Sequence, residues 1–199
     1  MPFEYGNTFE RETVGGRDRL RVGLDEAQDA CVRELGSGLA GPFQLLYVLH
    51  TTRTGSELGR YESPELSIGQ VHQFLDRFGP FLSQDARHDF WLRSHDDATI
   101  VLDRHNIIHA YGPLATFEAA LLRIGLTSSG LPRIPDPHVH HSIAFSGLPA
   151  CSCGWRMGRM AGPEQVIGLN SRRGSVHIAG LPSRVRPRRW SQSPGIHAV

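Results

Sequence analysis

The chain contains no lysine: all 21 of its basic residues are arginine. A GC-rich gene produces that bias without any functional cause, because arginine codons are GC-rich and lysine codons are not. Cysteine is nearly as scarce. Cys31, Cys151 and Cys153 are too few for a disulfide framework, so a reducing cytoplasm is the expected compartment. No apolar run reaches the roughly 18 residues that a transmembrane helix needs, so no membrane partner is expected. The opening MPFEYGNTFERET is acidic and has no apolar stretch, so it does not read as a secretory signal. The P-loop and G-x-S-x-G patterns are missing, which removes the P-loop nucleotide-binding and serine-hydrolase signatures. Gly15-Gly16 reads only as a turn signal.

What is present divides in two. The length of 199 residues fits one domain with additions, or two very small ones. Residues 1–141 hold 13 Arg against 19 Asp and Glu, a net charge of −6; residues 142–199 hold 8 Arg and one acid, Glu164, a net charge of +7. A split of that kind marks a boundary. The tail is rich in Gly, Pro, Ser and Arg and has no sustained apolar period. Two readings of it stand: a disordered basic tail, or codons of a GC-rich gene read out of frame. The expected organisation is an N-terminal extension with one helix over 1–42, an α+β domain over 43–141, and a basic low-order tail over 142–199.

The clearest structural signal lies in residues 88–126. Phe90, Leu92 and Ser94 alternate with Asp89, Trp91 and Arg93, which predicts a strand. His95-Asp96-Asp97 breaks it. Thr99 to Asp103 and Ile107 to Tyr111 form two further strands around a polar turn, where Asn106 can supply a positive φ. A helix follows, with Pro113 at its first position and Leu114, Phe117, Leu121 and Ile124 on one face. Gly125 and Leu126 fit the closing residues of a Schellman motif.

The remaining elements are placed around this unit. Leu20, Val22 and Leu24 allow a short strand. Asp25 and Gln28 resemble a capping box, with Ala27, Cys31 and Leu35 on one helical face and Gly36 at the end. Cys31 reads as a small buried hydrophobe. Phe43 to Thr52 is apolar almost throughout, which predicts a central strand covered on both faces. Arg60 to Glu62 fits an edge strand. Ser67 and Gln70 form a capping box, and the helix they open is expected to stop or kink at Gly79-Pro80. The expected fold is therefore an α+β two-layer sandwich. It has a mainly antiparallel sheet with two helices on one face, an N-terminal helix and an irregular C-terminal tail.

Two groups of residues carry the functional expectation. Trp91 and Arg93 share a strand face, as do His109 and Tyr111. If register joins these faces, the four form an amphipathic surface for a protein partner or small ligand, although ordinary cross-strand pairing also accounts for them. His138, His140 and His141 are the densest histidine cluster and could hold zinc together with Asp103, His105 or His109. The spacings of His138-x-His140 and Cys151-x-Cys153 do not match the usual zinc patterns, so a solvated polar loop is the plainer reading and no cofactor is the leading expectation. Arg172-Arg173 and the arginines from Arg184 to Arg189 would bind nucleic acid only non-specifically, if at all.

The run RHDFWLRS…TIVLDRHNIIHAYGPLATFEAAL, followed by IPDPHVHH, resembles conserved bacterial proteins with no assigned activity. The resemblance covers about residues 43–141. It implies a domain over that span and no catalytic residue. The functional expectation is a small non-enzymatic interaction or ligand-binding module of the bacterial accessory or immunity type. The alternative is a small metal-binding protein or metalloenzyme built on the histidine cluster.

Overall fold

The computed structural model describes residues 4–51 and 58–134, His138, and the backbone of Gly158–Arg159. These form a mixed α+β fold with three helices and a large sheet. The strands are β1 (Thr8–Val14), β2 (Arg17–Gly23), β3 (Phe43–Leu49), β4 (Gly59–Glu62), β5 (His88–Ser94), β6 (Thr99–Leu102), β7 (Ile107–Tyr111), β8 (Thr127–Ser128) and β9 (Gly158–Arg159). The helices are α1 (Gln28–Ser37), α2 (Ile68–Gln84) and α3 (Leu114–Arg123). Sheet order is β8-β1-β2-β7-β6-β5-β3-β4-β9. Every pairing is antiparallel except β1 with β8.

The β5–β6–β7 meander and α3 follow the expected pattern. Asn106 takes φ 62° in the β6–β7 turn, and Asp97 takes φ 58° in the β5–β6 turn. The last turn of α3 closes as a Schellman motif: Gly125 N–H donates to the Leu122 carbonyl (3.1 Å) and Leu126 N–H to the Leu121 carbonyl (3.0 Å). Pro113 sits one residue earlier than expected, as the N-cap. The capping box of α2 is present: the Gln70 N–H donates to Ser67 Oγ (3.3 Å), and the Ser67 N–H donates to Gln70 Oε1 (2.9 Å).

Four expectations are corrected. Of the stop or kink expected at Gly79-Pro80, the stop is overturned: α2 runs on to Gln84 with Pro80 inside it. Pro80 cannot donate to the Asp76 carbonyl, but Phe81 and Leu82 beyond it are buried, which offsets the missing bond. Gly79 serves packing instead. A Cβ there would lie 2.7 Å from Asp29 Cβ, so α1 and α2 approach at that point. Asp25 does not cap α1. Its Oδ1 accepts the N–H groups of Tyr5 (2.6 Å) and Gly6 (3.0 Å), while Ala27 in a left-handed conformation precedes the helix without a side-chain cap. β4 is not an edge, because β9 pairs with its outer side. The polar N-terminal stretch is a full hairpin: Gly15 and Gly16 at φ 59° and 77° make a two-residue turn, and β2 continues into the sheet beside β7.

The sheet has two unlike faces. On the first, Phe9, Leu20, Val22, Phe43, Leu45, Tyr47, Phe90, Leu92, Ile100, Leu102, Ile108 and Ala110 belong to one buried cluster with side chains from all three helices. Gly36 of α1 rests directly on Leu92, where a Cβ would meet Leu92 Cδ2 at 2.8 Å. On the second face Leu46, Trp91 and Val101 form a separate cluster, with Val48 and Tyr111 against it. Among the described residues no helix is long and apolar enough to cross a membrane. The tail expected over 142–199 lies outside the described residues, apart from β9.

Candidate functional site

The β6–β7 turn is built around one carboxylate. Asp103 Oδ1 accepts the N–H groups of His105 (2.8 Å) and Ile107 (3.0 Å), so an Asx turn sets its position. Its Oδ2 meets His109 Nε2 at 3.1 Å and His105 Nδ1 at 3.6 Å. Burial would raise the Asp103 pKa, but the hydrogen bonds from His105, His109 and Ile107 outweigh it and hold the carboxyl below its usual range. An ionised carboxylate can only accept, so His109 Nε2 carries the proton of that bond. The turn is tied down on both sides. Asn106 Nδ2 donates to the Ser83 carbonyl (2.8 Å), and the Tyr5 hydroxyl donates to the His105 carbonyl (2.6 Å). Burial, with the Asp103 charge adding to it, pushes the Tyr5 hydroxyl up to about 12.

A second acid–histidine pair stands beside the first. Asp89 accepts the Arg104 N–H (2.9 Å) on Oδ1 and meets His50 Nε2 (2.7 Å) on Oδ2. Two such dyads resemble half of a hydrolytic triad, but among the described residues neither has a nucleophile. Among the described residues no hydroxyl or thiol bonds to the second nitrogen of His50, and His109 Nδ1 is buried without a partner. Ser37 Oγ and His72 Nε2 lie 3.2 Å apart on the helical side, but that hydroxyl donates to the Arg33 carbonyl (2.8 Å). Cys31 is buried as expected, and burial raises its thiol to about 12, so it is no ready thiolate.

The structure places Trp91, Arg93, His109 and Tyr111 on the second sheet face, with β6 between the two pairs. Register aligns Trp91–Val101–His109 in one cross-strand row and Arg93–Thr99–Tyr111 in the next. Three of the four are already engaged. Arg93 pairs with Asp97, and His109 with Asp103. Tyr111 accepts a bond from Arg19 Nη1 (2.6 Å), and Arg19 also holds Glu12. Trp91 differs: it is 8% exposed, and its Nε1 is buried with no hydrogen-bond partner among the described residues.

The Trp91 row extends further than its sequence neighbours suggested. It reads Glu10, Arg21, His109, Val101, Trp91, Leu46, Glu62, and then the backbone of Gly158. Three of its polar atoms, His109 Nδ1, Trp91 Nε1 and Glu62 Oε1, are buried and unpartnered among the described residues. Burial raises the Glu62 carboxyl pKa, with Arg60 and Arg93 acting against it. Glu62 was not among the residues expected from sequence. Strand parity says only which residues of one strand share a face; register pairs Glu62 with Leu46 and Leu46 with Trp91.

His138, one of the three expected metal ligands, lies edge-on to the His105 ring with centroids 5.3 Å apart. His140 and His141 lie outside the described residues, as do Cys151 and Cys153. Among the described residues no group of three or more His, Cys, Asp or Glu is arranged to hold a metal ion. The arginines expected to meet nucleic acid also fall outside them. Comparison with known proteins returned no match: no family model, no curated protein and no solved structure corresponds to the chain.

Proposed function

We propose that the chain is a non-enzymatic interaction module, of the small bacterial accessory or immunity type, whose second sheet face receives an extended polypeptide. In this reading the architecture is a two-layer sandwich: the helices fill one face and leave the other for binding. The supporting observation is the shared cluster of helical and first-face side chains. The observation that carries the function is the row itself, with three buried polar atoms that no described residue satisfies, alternating with apolar Val101 and Leu46. Each such atom costs about 1–3 kcal/mol unless something supplies its bond. Trp91 Nε1 asks for an acceptor. From His109 to Glu62 the row crosses four strand spacings, about 19 Å, or roughly six residues of extended chain. That length suits a polypeptide better than a small ligand.

The test is a titration against the protein encoded by the neighbouring gene, co-purified and then measured by calorimetry. Trp91→Phe removes one donor and keeps the ring, and Glu62→Gln neutralises the acceptor. Each is expected to weaken the complex about tenfold, the equivalent of about 1.4 kcal/mol. Leu122→Asp, on a residue 56% exposed on the outside of α3, is expected to leave it unchanged. A complex indifferent to Trp91 and Glu62 but lost in Leu122→Asp would place binding on the helices and sink the reading.

A further inference from the structure

We propose that the last turn of α2, residues 81–84, is an acid-released latch: when the His88 ring beneath it takes up a proton, the turn lifts and lets go of the β6–β7 turn that carries Asp103. The His88 ring is buried between Tyr47 of β3 and Phe81 of α2, with ring centroids 4.8 and 5.1 Å away. The Leu82 carbonyl lies near it and favours a proton only weakly. The ionisable groups that face the ring are committed or repel a charge. Asp85 would favour the proton, but Arg87 holds it through two bonds, and Arg87 and His50 oppose the charge. Tyr47 stays neutral, because burial pushes its hydroxyl above the ordinary value. A charged ring is therefore poorly matched to the closed core, and burial lowers the His88 pKa to about 4.

Relief requires water at the ring, and the two aromatic covers differ in what holds them. Tyr47 lies in β3, which is paired with β4 on one side and β5 on the other. Phe81 stands just past Pro80, where the helix lacks its bond to the Asp76 carbonyl, and only residues 81–84 of the helix follow. The helix end is the side that gives way. That same end is tied to the β6–β7 turn: the Ser83 carbonyl, one of the carbonyls a helix C-terminus leaves open, accepts from Asn106 Nδ2 (2.8 Å). Asn106 takes φ 62°, a conformation that glycine adopts freely, so what asparagine adds there is the side-chain amide. Lifting residues 81–84 breaks this tie to the turn in which Asp103 holds the N–H groups of His105 and Ile107 and meets His109. Proton uptake in the first-face core is thus coupled to the second face, whatever that face binds.

The test is amide hydrogen exchange on the full chain by nuclear magnetic resonance, expressed as protection factors so that the intrinsic pH dependence of exchange cancels. Between pH 6.5 and pH 4.5 the protection of Ser83, Gln84 and Ile107 is expected to fall together, by about tenfold or more. Leu92 and Ile100, in the middle of the sheet, are expected to keep theirs. His88→Phe keeps the stack and removes the titrating group, so both losses should vanish; His105 and His109 remain in that variant, so an effect of their own would persist. Asn106→Gly keeps the turn conformation and removes the tie. There Ser83 and Gln84 should still loosen in acid, while Ile107 no longer follows. Wild-type protection that does not change, or a His88→Phe variant that loosens like the wild type, would overturn the latch. So would an Ile107 that follows the acid response in Asn106→Gly, because the tie would then carry nothing. Loss of protection at Leu92 and Ile100 in step with Ser83 would overturn it too, since acid would then be unfolding the whole chain.

Discussion

His88 gives the sharpest test of the core. It lies at the start of β5 on the first face, 2% exposed, with its ring stacked between Tyr47 (4.8 Å) and Phe81 (5.1 Å). Neither ring nitrogen has a well-formed hydrogen bond; the Leu82 carbonyl is near enough only to exert a minor upward pull. Burial is the main reason its pKa falls from 6.5 to about 4; Asp85 opposes the shift, and Arg87 and His50 add to it. In the unfolded chain the imidazole takes up its proton near pH 6.5, while the folded chain refuses it until about pH 4. Acid therefore favours unfolding across that window. The contribution is intact above pH 6.5 and lost progressively as the pH falls to 4, by about 3 kcal/mol in total at about 1.4 kcal/mol per pH unit. His88→Phe keeps the stacking and removes the titration. Denaturant unfolding followed by circular dichroism at steps from pH 7.5 to pH 4.5 should show the wild type losing about 2–3 kcal/mol relative to the variant. Near neutral pH the two should agree within about 1 kcal/mol, because two poorly satisfied nitrogens are removed without a cavity. Parallel curves down to pH 4.5 would mean that His88 titrates normally and that the aromatic sandwich does not exclude water.

Two further perturbations address the Asp103 turn and the proline in α2. Asp103→Asn should cost about 2–3 kcal/mol at pH 7, since a charged acceptor of several bonds is lost. The folded Asp103 pKa lies below its ordinary 3.8, so its stabilisation is present above that value and lost as the pH falls through the folded one. The gap between wild type and variant, measured by thermal unfolding, should therefore close below about pH 4, and a gap constant with pH would refute the role of the charge. Pro80→Ala restores an N–H that can reach the Asp76 carbonyl and should raise the unfolding free energy by up to about 3 kcal/mol. A loss of stability would instead show that the proline shapes the seat of Phe81 and Leu82.

The sequence was legible where the cause of structure is local. Gly125 and Leu126 announce the end of α3, and Ser67 with Gln70 announces the start of α2, because every bond involved spans a few residues. It was less legible where the partner is distant. Asp25 looks like a helix cap, yet it serves Tyr5 and Gly6, twenty residues upstream and more strongly placed to use it. β1 escaped notice because Phe9 is its only buried side chain. Its strand character comes from cross-strand pairs such as Glu10 with Arg21 and Glu12 with Arg19, which exist only once register is known. The same applies to the candidate site. Parity within β5 and β7 correctly grouped Trp91 with Arg93 and His109 with Tyr111, but the interposed β6 and the far end of the row at Glu62 are properties of the assembled sheet.

The order of pairing has a consequence for synthesis. β2 finds its inner neighbour in β7, and β3 finds its inner neighbour in β5. Both neighbours belong to the 88–111 meander, which is made after them. Until those residues leave the ribosome, the N-terminal hairpin and the β3–β4 pair each have an open edge and nothing to join them. The meander itself needs only contacts between adjacent strands, so it can close quickly and then recruit the waiting pieces on either side. Slowing translation before codon 88 would lengthen the exposure of Phe43, Leu45 and Tyr47. This protein should accordingly depend on holding chaperones most during the first half of its synthesis.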